Sequence, residues 1–241
     1  MDVIVEGIDG SGKTTFCGML CKELLRIKQE RKLDMSIGLI KRDFSMDLAI
    51  ERLENLATRK KDSVSNTNKL NTALALLHFS KFIKLYTSKE YKIGIWDRSI
   101  YSTIAYYKQS YNILSILNNM ECFTLHNYFH RFSHLFYLNC PVDLAMERLH
   151  MKGEKGYYEE MNMLVNAKRR YDNLFIQGEV TQMSNTSIVP RHIFVIDIDK
   201  NFTLEDMNKL AVEKAHNLIN YYNNINITGT ALDNLFDGYE E

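Results

Sequence analysis

The sequence predicts an α/β fold in which a five-stranded parallel sheet carries helices on both faces. Short apolar runs alternate along the chain with longer stretches of helical periodicity, a pattern typical of parallel strands joined by helical crossovers. A glycine-rich turn, residues 7–12, separates the first apolar run from the first helical stretch. With 241 residues and 45% hydrophobic content, the chain can also bury the core that a single domain of this kind needs.

The individual elements follow from these patterns. We predict strands at residues 2–6, 35–40, 92–96, 134–139 and 192–197. We predict helices at residues 13–30, 46–58, 69–88, 100–120, 141–151 and 157–175. Pro141 suits the first position of a helix, because no intrahelical bond needs its missing N–H there. Thr203 with Asp206 resembles a capping box that opens a last helix.

The domain organisation is simple. One domain is predicted over residues 1–222, with a small lid at about 148–160 and a polar surface loop at 178–190. Residues 223–241 are rich in Asn, Gly and acidic side chains, a composition typical of a flexible tail.

Charge and composition exclude several classes of function. The formal net charge is zero, so the bulk basic field of a sequence-independent nucleic-acid binder is missing, and we expect no nucleic-acid partner. No apolar run reaches the length of a membrane span, and we expect a cytoplasmic protein without a membrane partner.

The four cysteines lack paired CxxC spacing and are expected to be reduced thiols: Cys17, Cys21, Cys122 and Cys140. Scarce proline with abundant Asn, Ile, Lys and Tyr is typical of an AT-rich genome, as in a phage, a virus or an AT-rich bacterium. A phage or viral source would mean the host cytoplasm.

Residues Gly7 to Thr14 read Gly-Ile-Asp-Gly-Ser-Gly-Lys-Thr, a complete phosphate-binding loop between a strand and a helix. Its glycines let the backbone approach phosphate groups at the positive end of the helix dipole. Lys13 would reach the β and γ phosphates, and the Thr14 hydroxyl would bind Mg²⁺. The sequence therefore predicts a P-loop fold and an ATP-binding set of Gly7, Gly10, Ser11, Gly12, Lys13, Thr14 and Thr15.

A second informative segment begins at Asp97-Arg98, where the third strand ends. Ligands of doubly wound sheets lie beyond the carboxyl ends of the strands. There the Asp97 carboxylate could hold a metal or a base, and the Arg98 guanidinium could bind a phosphate. The alternative is a structural ion pair, but the nearby phosphate-binding loop favours the functional interpretation.

These two segments together resemble the thymidylate kinases, a family of P-loop nucleoside monophosphate kinases. Residues 5–15 resemble the family's first strand and loop, and Asp97-Arg98 followed by Ser102 and Tyr106 resembles its Asp-Arg motif. Weaker similarity continues at residues 136–141, 147–148, 158–159 and 170–171 and covers most of residues 1–200. The resemblance implies a P-loop NTPase fold, ATP as phosphoryl donor, Mg²⁺ as cofactor, nucleotide substrates and a homodimer.

The resemblance also implies roles around the acceptor nucleotide. Asp9 would lie near the acceptor's 3′-hydroxyl and the metal, or would be only a turn residue. Arg42 and Arg98 would grip the acceptor phosphate from two sides, and Ser102 would face the base. Tyr106 would stack under the sugar and exclude a 2′-hydroxyl, which makes the acceptor a deoxynucleotide; the alternative is a core aromatic.

The predicted lid contributes the remaining candidates. Family members without an arginine in the loop supply one from the lid, and Arg148 is the first candidate here, with Lys152 and Lys155 as alternatives or as a solvated face. Tyr158 resembles a substrate-contacting lid residue. The predicted catalytic set is then Lys13, Asp9, Arg98, Arg148 and Asp97.

The chain departs from the family where the base is read. Family members carry a phenylalanine over the base and, four residues later, an arginine that contacts thymine. Here either His78 and Phe82, or Phe79 and Ile83, occupy those positions, so the arginine is missing in both alignments. Losing a charged donor to a base edge could remove ~1.5–3 kcal/mol of discrimination. We therefore expect thymidine monophosphate as the acceptor, with another or modified deoxynucleotide as an alternative.

Two further functions remain open at this point. A deoxynucleoside kinase shares the loop and sheet but takes an acceptor without phosphate, and Asp43 would then be the candidate base. A nucleotide-binding regulatory protein would bind ATP without phosphorylating any monophosphate. The order of donor, acceptor and lid segments along the chain favours the monophosphate kinase.

Overall fold

The structure, a computed structural model, describes residues 1–40, 91–106, 132–153, 161–179, 190 and 192–236. The strands are β1 (Asp2–Glu6), β2 (Ile37–Ile40), β3 (Ile93–Asp97), β4 (Phe132–Asn139) and β5 (His192–Asp197). The helices are α1 (Lys13–Glu30), α2 (Ile100–Tyr106), α3 (Val142–Lys152), α4 (Met161–Phe175) and α5 (Leu204–Phe236). The strand predictions are confirmed, with bounds that differ by at most two residues. Several predicted elements lie outside the described residues: the helices at 46–58 and 69–88, residues 107–120 of the predicted helix at 100–120, and most of the 178–190 loop.

All five strands are parallel and lie in the order β2-β3-β1-β4-β5. The chain fills one side of β1 with β2 and β3 and the other side with β4 and β5, so its direction across the sheet reverses beside β1. Such a reversal opens a crevice at the carboxyl ends of the strands, which is where ligands bind in these folds. Glu6, Asp97 and Asn139 end the three central strands and lie at this edge.

The core lies between the sheet and its helices. The predicted apolar face of α1 is buried, and α5 packs against α1. Ala211 and Ala215 of α5 are fully buried. Each large aliphatic side chain buried here contributes about 1.5–3 kcal/mol relative to exposure. The buried face of α1 consists of Phe16, Cys17, Leu20, Leu24 and Ile27.

The last helix begins as predicted and ends later. Thr203 and Asp206 form the capping box: Asp206 N donates to Thr203 Oγ1 at 3.1 Å, and Thr203 N donates to Asp206 Oδ2 at 3.0 Å. The helix then continues to Phe236, whereas the sequence predicted a tail from residue 223. Asn and Gly weaken a helix only locally, and extending an established helix is far less costly than nucleating one. Similarly, α3 begins at Val142, so Pro141 is its N-cap and not its first helical residue.

The described cysteines are free thiols, as predicted: Cys17 and Cys140 are buried, and Cys21 is half-buried. Cys122 lies outside the described residues. Within the described part of the chain, no helix combines the length and apolarity that crossing a bilayer requires.

A buried histidine, His134, makes stability depend on pH. His134 on β4 lies beside His192 on β5, with ring centroids 4.9 Å apart, and Tyr221 of α5 packs edge-on against both. Burial, with a smaller contribution from His192, lowers the pKa of His134 to about 4. In the unfolded chain His134 takes up a proton near pH 6.5, whereas in the folded chain it does so only near pH 4. The contribution of neutral His134 to stability is therefore lost as the pH falls from about 6.5 to about 4.

We expect His134→Phe to reduce this acid sensitivity. Between pH 7 and 5 the wild type should lose roughly 1–2 kcal/mol more unfolding free energy than the variant, because phenylalanine takes up no proton. Urea denaturation at both pH values measures the difference. Equal losses in the two proteins would contradict the assignment.

Candidate active site

The loop between β1 and α1 has the backbone geometry of a phosphate cradle. Gly10 adopts φ +82°, and a Cβ there would overlap the carbonyl of Ala145 on α3. Gly12 adopts φ +97° as the N-cap of α1, and a Cβ would lie 2.9 Å from the Met207 side chain. The loop is therefore held against α3 and α5 in a conformation that other residues rarely adopt. Its amides lie at the N-terminal end of an 18-residue helix, where anions are favoured.

Lys13 is buried at the start of α1. Its Nζ donates to the Ile8 carbonyl at 2.7 Å and lies 3.9 Å from Asp9 Oδ1. Burial lowers the pKa of Lys13, while the carboxylates of Asp97 and Glu6 oppose that change. The ammonium is thus aimed into the loop, where phosphate oxygens could replace its present partners. Ser11 Oγ, also in the loop, is buried without a hydrogen-bond partner among the described residues.

Thr14 and Asp97 form a candidate magnesium site. Thr14 Oγ1 donates to Asp97 Oδ2 at 2.6 Å. Asp97 Oδ1 is buried and has no hydrogen-bond partner among the described residues. Mg²⁺ in phosphoryl-transfer sites takes few protein oxygens and completes its shell with substrate phosphates and water. An orphaned carboxylate oxygen beside a hydroxyl at the end of the phosphate loop fits that ion.

Arg98, Asp9 and Tyr106 meet across the mouth of the loop. The Arg98 guanidinium forms an ion pair with Asp9 Oδ1 and lies 5.7 Å from the centre of the Tyr106 ring. The Tyr106 hydroxyl accepts from the Asp9 amide at 2.8 Å and donates to Asp9 Oδ2 at 3.1 Å. The hydroxyl end of Tyr106 therefore reaches the site, although its ring is buried. The arrangement brings the Arg98 guanidinium into direct contact with the loop through Asp9.

Glu6, which sequence reasoning did not assign to the site, lies fully buried beneath it. Ser99 N and Ser99 Oγ donate to Glu6 Oε1 at 2.7 and 2.6 Å, and Ser102 Oγ and Tyr171 OH donate to Oε2 at 2.7 and 2.9 Å. Burial raises the pKa of Glu6, and these hydrogen bonds and the charge of Arg98 oppose the rise. The sequence signal was a carboxylate directly after the apolar centre of the strand, Val3-Ile4-Val5.

The structure gives Ser102 a different position from the predicted one. Its hydroxyl was expected to face the base of the acceptor, but it donates inward to Glu6 and lies 3.0 Å from the Tyr171 hydroxyl. A serine three residues into a helix prefers a nearby acceptor, and the buried carboxylate provides one. Ser102 therefore belongs to the support of the site.

The predicted lid is described only at its start. Arg148 is half-buried on α3, Lys152 is exposed in its last turn, and Gly153 at φ +72° ends the helix. The positive charges of Arg148 and Lys13 both act on the Cys140 thiol and oppose the rise of its pKa that burial causes. Arg148 therefore lies near enough to Cys140, at the end of β4, for its charge to act there. The other predicted contacts lie outside the described residues: Arg42, His78, Phe79, Phe82, Lys155 and Tyr158.

A comparison of the chain with known protein families identifies the family to which it belongs. The thymidylate kinase family model matches residues 5–188, which include the phosphate loop, the Asp97-Arg98 segment and α3. The chain belongs to the thymidylate kinase family. This member of the family is a nucleoside monophosphate kinase with a P-loop fold, as the sequence predicted.

A curated relative agrees with this assignment. A thymidylate kinase of Mycoplasma capricolum is 29% identical over 206 residues, which cover 83% of this chain and 88% of the relative.

Solved structures share the fold. A deoxyadenosine kinase from M. mycoides with bound dCTP has a TM-score of 0.54 at 16% identity and covers 92% of this chain and all of that one. The same enzyme with bound dATP has a TM-score of 0.52 at 17% identity and covers 91% of this chain and all of that one. At such identities the likeness shows the architecture alone.

Proposed function

We propose that this kinase transfers the γ-phosphoryl group of ATP to a deoxynucleoside monophosphate, thymidine monophosphate (dTMP) in particular, to form the diphosphate. The proposal rests on one observation: two cations, Lys13 and Arg98, meet at the same loop carboxylate, Asp9. Lys13 lies in the donor loop, and Arg98 reaches the edge of that loop through Asp9. Phosphoryl transfer needs positioning and charge neutralisation more than covalent chemistry, and two opposed cations provide both.

The donor side rests on the phosphate loop. The loop amides and Lys13 would bind the β and γ phosphates of ATP, and the Ser11 hydroxyl, which lacks a partner among the described residues, could add a donor. Thr14 and Asp97 would hold Mg²⁺, which supplies positive charge to the donor phosphates when it is bound.

The acceptor side rests on Arg98. Its guanidinium fork can bind a phosphate with two hydrogen bonds, and a dianionic phosphate would compete with Asp9 for it. An oxygen of the acceptor phosphate then attacks the γ-phosphorus in line, the bond from that phosphorus to the bridging oxygen breaks, and ADP leaves. We propose that Arg148, at the start of a lid at 148–160, neutralises charge on the transferred group, since its charge already acts on Cys140 at the end of β4.

The preference for dTMP is supported by the family and by the curated relative named thymidylate kinase. The missing arginine in the 78–83 segment limits how selective that preference can be. We expect dTMP to be used best, with a smaller advantage over deoxyuridine, deoxycytidine and deoxyguanosine monophosphates than a thymine-contacting arginine would give. A coupled ADP-release assay with each acceptor tests this expectation. Strict exclusivity for dTMP would show that another residue, such as His78 or Lys81, makes the lost contact.

Selection of deoxyribose should depend on the ring of Tyr106 and not on its hydroxyl. We expect Tyr106→Phe to keep the wild-type ratio of kcat/KM for dTMP over its ribose counterpart, because a steric barrier needs only the ring. Tyr106→Ala should reduce that ratio by roughly 10-fold or more, since it opens space for a 2′-hydroxyl. If Tyr106→Ala leaves the ratio unchanged, Tyr106 is only a core aromatic.

The homodimer that the family resemblance implies is also a proposal. Light scattering coupled to size-exclusion chromatography of the full chain should give twice the 28.2 kDa of one chain. A mass that stays at one chain at micromolar concentration would contradict it.

A further inference from the structure

Arg98 holds an unusual backbone conformation for a residue with a large side chain. Its φ of +78° lies in the left-handed region, which residues with a Cβ rarely adopt. Lys32 is the other non-glycine residue in that region among those described. Such a conformation persists only where the surrounding structure fixes it, and it often marks a functional site. The contacts that fix Arg98 therefore matter for where its guanidinium lies.

Two neighbouring residues of β1 fix the peptide groups on both sides of Arg98. The Arg98 amide donates to the Val5 carbonyl at 3.1 Å. The next amide, Ser99 N, donates to the carboxylate of Glu6 at 2.7 Å. Because the direction of the Ser99 N–H is set by the Arg98 dihedral angles, the second bond selects the backbone conformation of Arg98 directly.

Glu6 also acts as a cap for α2 from outside that helix. Ser99 precedes α2, and its hydroxyl accepts from the Tyr101 amide at 3.3 Å while it donates to Glu6. In a capping box, a carboxylate three residues into the helix accepts the N–H of the cap residue. In α2 that position is Ser102, whose side chain is too short for this role. The Glu6 carboxylate accepts the Ser99 N–H in its place and also accepts from the Ser102 hydroxyl.

We infer that Glu6 is a positioning residue that holds Arg98 in its left-handed conformation and so aims the guanidinium at the acceptor phosphate. The inference rests on the acceptor role proposed for Arg98. Glu6 accepts four hydrogen bonds, two on each oxygen, which an ionised carboxylate accommodates and an amide does not. It does not touch the reacting groups, so its effect on catalysis passes through Arg98.

The first test compares two buried carboxylates of the same strand. Glu6→Gln should lower kcat/KM for dTMP by about 10-fold or more and leave the KM for ATP within about 2-fold, because one amide oxygen replaces two acceptors. Asp2→Asn is the matched control. Asp2 is equally buried at the other end of β1, where it accepts from Trp96 Nε1 at 3.1 Å. Equal losses in both variants, or equal effects on ATP and dTMP, would overturn the inference.

A double-mutant cycle separates positioning from general damage. If Glu6 acts through Arg98, Glu6→Gln in an Arg98→Ala background should change kcat/KM for dTMP by less than about 2-fold. If the losses in kcat/KM from Glu6→Gln and Arg98→Ala instead multiply in the double variant, the inference is overturned. If Glu6→Gln does not fold, Ser99→Ala in the wild-type and Arg98→Ala backgrounds serves the same test. This change removes the hydrogen bond from the Ser99 hydroxyl to Glu6 and keeps the one from the Ser99 amide.

A substrate-free measurement distinguishes this inference from the proposed function. The Arg98 Nε–H resonance, assigned by its loss in Arg98→Lys, should shift in Glu6→Gln and stay in place in Asp2→Asn. An unshifted resonance in Glu6→Gln would overturn the positioning role. A shifted resonance with unchanged kcat/KM for dTMP would support the positioning and reject the acceptor role of Arg98.

Discussion

Lys13→Ala is expected to lower kcat by roughly 10²- to 10³-fold or more while the protein keeps its fold. The ammonium is buried, and its partners among the described residues, the Ile8 carbonyl and Asp9, belong to the loop. Its removal should therefore take away charge where we propose that the γ-phosphoryl group is transferred. Initial rates of ADP release at saturating ATP and dTMP measure the loss. Far-UV circular dichroism checks the fold.

Lys22→Ala is the matched control for that change. Lys22 lies on the same helix but is exposed, away from the phosphate loop. It should retain the wild-type rate. If Lys13→Ala turns over near the wild-type rate, the assignment of the donor site is wrong.

Arg98→Ala is expected to damage use of the acceptor far more than binding of ATP. A charged contact to a phosphate in a desolvated site costs ~3–5 kcal/mol when one partner is removed. That corresponds to a loss of roughly 10²- to 10³-fold or more in kcat/KM for dTMP. Isothermal titration with ATP should give the wild-type dissociation constant within about 3-fold.

Two variants check the specificity of that effect. Arg98→Lys keeps the charge but loses the guanidinium fork, and it should recover only part of the lost kcat/KM. Arg169→Ala removes an exposed arginine on α4 and should have no effect. An unchanged KM and kcat for dTMP in Arg98→Ala would mean that the pair with Asp9 is purely structural.

The sequence predicted those parts of the molecule that depend on local pattern. The phosphate loop, the strands and the capping box at Thr203 and Asp206 are defined by residues close together in the chain, and each was confirmed with small shifts in bounds. The end of α5 was missed, because composition indicates where a helix is weak but not where its propagation stops.

The support beneath the site could not be predicted in the same way. Glu6 meets Ser99 across 93 positions and Tyr171 across 165 positions of the chain, so no local pattern joins them. Only the strand order, which brings the ends of β1 and β3 side by side and packs α4 against α2, creates that contact. For the same reason the sequence could name Arg98 as a candidate and could not indicate its left-handed backbone.

We propose above all that this site phosphorylates a nucleotide that already carries a phosphate, and that Arg98 binds that phosphate. The most direct measurement offers ATP, Mg²⁺ and an equimolar mixture of dTMP and thymidine to the full chain and follows the products by ³¹P NMR. We predict that the β-phosphate signal of thymidine diphosphate grows as ATP is consumed, while the thymidine is left unreacted. Conversion of thymidine to its monophosphate, without formation of the diphosphate, would contradict the proposed monophosphate kinase activity.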